Sequence, residues 1–320
     1  SNTMSQEKSS QPEKAANEVH QHFRGVFSSQ ELRKVGTGTT TRKTVTKTFW
    51  YAEEEPDGRL YVQPINSNYV PTGNKKYITK DELLAKFSPE PEFYTETVYP
   101  SMRRLKETID RADNARNKGE TFSAEYEYDN ALAVDVDNVR ANFGIGLTYL
   151  SRGEKEKAQN IFSRLVQLDG AFEEEHKHLF NEFGINLRKN KMFNESLEYY
   201  LRALKLSKHD ENLYINIARV YLELKDIPHV VEFIGKALAL APQSEVALKF
   251  QSWLIAHKLV TEEQCKAAKE SAEAEMSSNN AADEQKDPNA SSDADAANDA
   301  ADAPKDTEQP ETSADATFLS

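Results

Sequence analysis

Only one cysteine, Cys265, occurs in the 320 residues, and a lone thiol cannot form an internal disulfide. No stretch approaches the ~18 to 20 consecutive apolar residues of a membrane span, and the polar N-terminal residues hold no apolar core of a secretory leader. A reducing cytoplasm is the expected setting, with no membrane partner. Reactive sets are missing too. No nucleophile, base and orienting group stand together, and spacing places no pair of carboxylates together on a rigid element, which favours a binder over an enzyme. His20 with His22, and His176 with His178, are spaced by two, so they do not converge on one ion. No metal and no cofactor are expected. Cys265, without a histidine or a cationic neighbourhood, is expected to pack on an alanine-rich helix.

Two strings invite a phosphate or nucleic-acid reading, and each lacks something. Arg33-Lys34-Val35-Gly36-Thr37-Gly38-Thr39-Thr40-Thr41-Arg42-Lys43 combines glycine amides, hydroxyls and cations. It lacks the glycine-lysine-serine or threonine ending of a nucleoside-triphosphatase loop and the third glycine of a dinucleotide fingerprint. A flexible turn leading into a threonine-rich strand is the simpler account. Basic residues around Phe49, Trp50 and Tyr51 suit stacking on single-stranded nucleic acid. Strand alternation sends Trp50 to the face opposite Phe49 and Tyr51, so one side is expected to be core. Nucleotide or nucleic-acid binding by this N-terminal region, with the rest as a targeting scaffold, is the alternative reading. Nucleic acid is the less favoured partner.

Charge is unevenly placed. Residues 271–320 carry thirteen acidic side chains and two lysines, so −11 of the net −13 sits there and −2 remains for everything before. This Ala, Asp, Asn and Ser-rich sequence, ending in Thr317-Phe318-Leu319-Ser320, reads as a solvated tail from 277 to 320. A second polar tail is expected over residues 1–22. Residues 23–94 are rich in threonine, tyrosine and valine and read as a small α+β module. Strands are expected at 44–51 and 60–64, joined by the turn Glu55-Pro56-Asp57-Gly58. A loop follows at 66–74, then a short helix capped by Thr79-Lys80-Asp81-Glu82, then the stiff connector Ser88-Pro89-Glu90-Pro91.

A ruler of 34 residues, set at Leu105 and Val139 and again at Lys177 and Glu211, fits the middle of the chain. Its eighth place is always small: Ala112, Gly146, Gly184, Ala218. Its twenty-fourth is always bulky: Tyr128, Phe162, Tyr200, Ile234. Two helices of a hairpin cross closely only where one offers little side chain, so small residues at fixed offsets from large ones are what such packing requires. Glu173 to His176 interrupt the ruler and read as a longer loop or helix end.

This period and pattern resemble the tetratricopeptide repeat. Tyr149 and Tyr221 supply its aromatic at place 11 while Ala115 and Leu187 do not. Gly119 and Gly153 supply its turn glycine, which Lys191 and Lys225 replace, and Pro242 alone keeps its terminal proline. The resemblance implies a mainly α solenoid of about four helix-turn-helix repeats over residues 95–257. A capping helix bearing Val246, Phe250, Trp253 and Leu254 closes it, and a further helix spans 258–276.

The resemblance also implies that the inner face of each first helix grips a partner peptide. Carried over by position, that face holds Arg140, Phe143 and Leu147, then Asn181, Ile185, Arg188 and Lys189, then Asn212 and Arg219, and finally Lys249 and Trp253. Guanidinium groups beside amides and apolar patches suit an acidic or C-terminal peptide. Taken singly, each cation reads better as a solvated side chain on an ordinary helix face; their gathering on one face is what points to binding. Ile109, Asp113 and Gly144 stand where a carboxylate clamp needs lysine and asparagine, so that specialised function is not implied. The chain's own acidic tail is a possible competitor for the same face.

Overall fold

The computed structural model describes residues 22–36, 42–207 and 209–284. The tail expected before residue 22, the sequence after Glu284 and residues 37–41 of the glycine- and threonine-rich string lie outside the described residues. The chain folds as two units, divided between Glu107 and Thr108.

In the N-terminal unit β1 (Arg24–Val35), β2 (Arg42–Glu54), β3 (Leu60–Pro64), β4 (Lys76–Ile78) and β5 (Ser88–Pro89) form one antiparallel sheet in the order β4-β3-β2-β1-β5. The turn at 55–58 closes as its residues dictate: the Gly58 amide donates to the Glu55 carbonyl at 2.8 Å, and Gly58 takes a φ of +86°. Helix α1 (Lys80–Lys86) starts where Thr79 Oγ1 accepts from the Glu82 amide at 3.1 Å. Its Leu83 packs with Phe27, Ala52, Leu60, Val62 and Ile78, and Trp50 and Phe87 join that core. After α2 (Pro91–Phe93) a π-helical turn runs from Tyr94 to Val98. On this side Phe49 meets Phe93 and Tyr51 meets Tyr94. Both faces of the aromatic triplet are therefore packed within the unit. The connector at 88–91 is different from expectation: Ser88 and Pro89 pair with Ser28 and Phe27, an edge position where a missing proline N–H is harmless.

From Tyr99 to Glu284 the described residues are mainly helical. The hairpins are α3 (Tyr99–Asn117) with α4 (Thr121–Val134), α5 (Val139–Ser151) with α6 (Lys155–Leu165), α7 (Lys177–Lys189) with α8 (Phe193–Leu206), and α9 (Glu211–Glu223) with α10 (Ile227–Leu240). A fifth follows, α11 (Glu245–Ala256) with α12 (Glu262–Glu284), so the expected capping helix and the helix after it are two arms of one more hairpin. That last helix runs to Glu284 rather than Met276.

One turn closes all of these hairpins. Gly119, Gly153, Lys191, Lys225 and Lys258 each take a positive φ, between 57° and 77°. In each turn that residue's amide donates three residues back, and the next amide donates five back. Gly119 and Glu120 thus bond the carbonyls of Arg116 and Ala115, and Lys258 and Leu259 bond those of Ile255 and Leu254. The small-against-large rule is literal. A Cβ on Gly184 would lie 2.4 Å from Tyr200 Oη, and one on Gly144 would lie 2.1 Å from Tyr128 Cζ. The interruption at 173–176 forms 3-10 turns, Asp169–Phe172 and Glu174–His176. They bring Phe172 against Phe180 and Tyr199, with ring centroids 5.6 and 5.5 Å away. Among the described residues no helix is long and apolar enough to cross a membrane.

Candidate functional site

Asn138 fixes the start of α5 by accepting from the Ala141 amide at 2.9 Å, and α4, α6 and α7 then enclose the helix. Every residue from Ala141 to Leu150 is buried. This corrects the expectation for Phe143 and Leu147, which are 0% and 5% exposed. Phe143 packs edge-on against Phe183 and Tyr199 and has no surface to offer a partner. Arg140, at the rim of the same helix, is already occupied. Its Nη2 bonds Asp110 at 2.8 Å and Asp113 at 2.7 Å, and its Nε bonds Asp113 at 3.0 Å. Asp113 also accepts from the Tyr128 hydroxyl. Arg116 donates to that hydroxyl at 3.2 Å and pairs with Glu182 of α7 at 3.3 Å. On α3 and α5 the cations are thus neutralised from within.

At α7 and α9 the balance differs. Arg188 and Arg219 are half-buried, and both lie near Tyr200, whose charge environment they share. Arg188 Nη1 reaches Glu223 at 3.5 Å. Arg219 has no carboxylate partner among the described residues; its Nη1 donates to Asn216 Oδ1 at 3.3 Å. Burial, and then the neighbouring Arg188 guanidinium, pull the Arg219 pKa below the ordinary arginine value. It remains a cation at any physiological pH. Of the two guanidiniums only Arg188 meets a carboxylate among the described residues, which leaves a positive excess with a low-dielectric floor.

The remaining expected residues differ in access. Asn181 and Ile185 are half-buried on α7, Lys189 and Asn212 are exposed, and Lys249 on α11 pairs loosely with Glu245 at 3.9 Å. Trp253 is half-buried and lies over the His257 ring at 4.1 Å. Tyr200 and Asn216 were not anticipated. Tyr200 was legible only as the bulky residue of the period, and nothing in its spacing announced that two arginines lie near enough to affect its charge environment. His176 does not meet His178; its ring lies instead with the carboxylates of Glu173 and Glu175, ligand atoms within 4.8 Å of one another. Its Nδ1 lies 2.8 Å from the Gly170 carbonyl.

A family model described as tetratricopeptide repeat matches residues 139–172, the α5–α6 hairpin with its following turn. No curated protein matches the chain. Among solved structures, pilF of Pseudomonas aeruginosa aligns at 19% identity over 53% of this chain and 75% of its own, with a TM-score of 0.39. A MamA structure aligns at 21% identity over 51% and 86%, with a TM-score of 0.41. YrrB, titled a TPR protein with an unusual peptide-binding site, aligns at 17% over 47% and 97%, with a TM-score of 0.23. The α5–α6 hairpin thus matches the tetratricopeptide repeat model, and the same left-handed turn closes every other hairpin among the described residues.

Proposed function

We propose that this protein is a cytoplasmic adaptor or assembly factor that binds an acidic peptide segment of a partner protein across α7 and α9. The observation that supports it most is the Arg188 and Arg219 pair, in which only Arg188 meets a carboxylate, Glu223, among the described residues. A peptide carboxylate placed beside Arg219 would supply the missing countercharge. A hydrogen bond to a charged group contributes about 1.5–3 kcal/mol. The guanidinium is already held by Asn216 and its surroundings, so little side-chain freedom is lost on binding. Ile185 and the amides of Asn181 and Asn212 provide apolar and polar contact beside it. Arg140, bound by Asp110 and Asp113, takes no part. No reaction is proposed.

The test is a fluorescence titration of the full chain with labelled extended peptides, one series rich in aspartate and glutamate and one isosteric in asparagine and glutamine. The acidic series should bind at least tenfold more tightly, about 1.4 kcal/mol. Arg219→Glu should remove that preference, while Lys249→Glu, on an exposed part of α11, should change it little. Equal affinity for the two series, or an unchanged preference in Arg219→Glu, would sink the reading.

A further inference from the structure

The sheet uses only part of its two longest strands. β3 pairs with β2 from Trp50 to Glu54, and β5 pairs with β1 at Phe27 and Ser28 alone. Beyond these positions, residues 29–35 and 42–49 pair only with each other. At ~3.3 Å per residue this ribbon extends roughly 20 Å past the sheet. Such an isolated two-stranded ribbon is marginal in water, so what its faces carry matters.

Register fixes one face. Gln30 opposes Lys47, Leu32 opposes Val45, and Lys34 opposes Lys43. Leu32 is 73% exposed and Val45 55%, so this apolar pair is left uncovered. Like charges directly opposite destabilise a ladder, yet Lys34 and Lys43 are both exposed and make no ion pair among the described residues. Lys47 is held by Glu90. Glu31, opposite Thr46, belongs to the other face. Lysine often guards a free strand edge against pairing. That role does not require two ammonium groups across from each other beside a bare leucine and valine.

We propose that this face of the ribbon binds the backbone of a double-stranded nucleic acid. Lys34 and Lys43 would sit against neighbouring phosphates, with Leu32 and Val45 turned to the groove wall. A two-stranded ribbon fits a major groove about 12 Å wide, and phosphate contacts alone supply sequence-independent affinity. A partner peptide would instead add along the free edge through backbone amides and leave this face unused. The stacking route through Phe49, Trp50 and Tyr51 is closed, because all three are packed within the unit.

The experiment is fluorescence anisotropy of the full chain with a labelled duplex of about 20 base pairs, between about 50 and 200 mM salt, where such contacts are most sensitive. Wild type should bind, and affinity should fall as salt rises. The double variant Lys34→Gln, Lys43→Gln should bind at least tenfold more weakly at low salt and lose up to about 2 from the log–log salt slope. Its thermal unfolding should match or exceed wild type, because an opposed like-charge pair has been removed. No binding at low salt, or a double variant with wild-type affinity and slope, overturns the proposal. Displacement of the duplex by poly-glutamate at matched charge concentration does so too, by assigning the face to acidic polypeptide.

Discussion

Tyr199 is fully buried, and its hydroxyl has no hydrogen-bond partner among the described residues. Phe143, Phe172, Phe180 and Phe183 surround the ring, so the oxygen is stripped of water with nothing in exchange. An orphaned buried hydroxyl costs about 1–3 kcal/mol. Tyr199→Phe keeps the ring contacts and removes the orphan; urea unfolding should show a gain of about 1 kcal/mol, and a loss would reveal an interaction the hydroxyl makes. Gly144→Ala tests the opposite sign. Alanine improves helix propensity by about 1 kcal/mol, but its Cβ would lie 2.1 Å from the Tyr128 ring, which Asp113 and Arg116 hold in place. Overpacking should win, with a net loss of about 1–3 kcal/mol in the same assay. Gly184 was legible in sequence because it faces Tyr200, the bulky residue of its own regular unit. Gly144 was not, since it meets the tyrosine of the preceding hairpin. Phe143 and Leu147 were misplaced for a related reason: an apolar residue on an open helix face and one on an enclosed helix read alike.

At the scale of elements, the hairpin turn is the unit that repeats most faithfully. Lysine in the left-handed region carries a strain of roughly 1 kcal/mol that glycine lacks. Lys191→Gly, Lys225→Gly and Lys258→Gly should each stabilise by about 0.5–1 kcal/mol, and the triple variant by about their sum if the turns act independently. Chemical denaturation decides it; a null result would mean that the lysine side chains recover the strain through contacts of their own. Lys191 and Lys225 were visible in sequence as replacements for the turn glycine. Lys258 was not, because it follows Lys225 by 33 residues and falls one short of the period. Strand β1 was hidden for a different reason. Its second half, Gln30 to Val35, is mostly polar and charged, and only pairing to β2 makes it a strand. The 2-residue β5 is invisible to any pattern, being defined by its neighbours alone.

Across the whole molecule the net charge of −13 is a poor guide, because the sequence after residue 270 accounts for most of it. Local balance decides instead: Arg140 and Arg116 are neutralised on α3, α5 and α7, whereas Arg219 is left without a carboxylate among the described residues. The hairpins stack in one dimension, each stabilised mainly by its neighbours, so damage should stay local. Gly235 offers the sharpest test. A Cβ there would lie 2.8 Å from the backbone carbonyl carbon of Ala268, which cannot rotate away as a side chain can. Gly235→Val should therefore push α12 off α10 and weaken the last hairpin by about 1–3 kcal/mol. A change of about 1–3 kcal/mol alters a local opening equilibrium roughly 5–150-fold. Hydrogen exchange should accelerate by that factor in α11 and α12, less in α9 and α10, and not measurably in α5 and α6. Uniform acceleration through α5 and α6 would mean that the hairpins open as one cooperative block, and the nearest-neighbour description would fail.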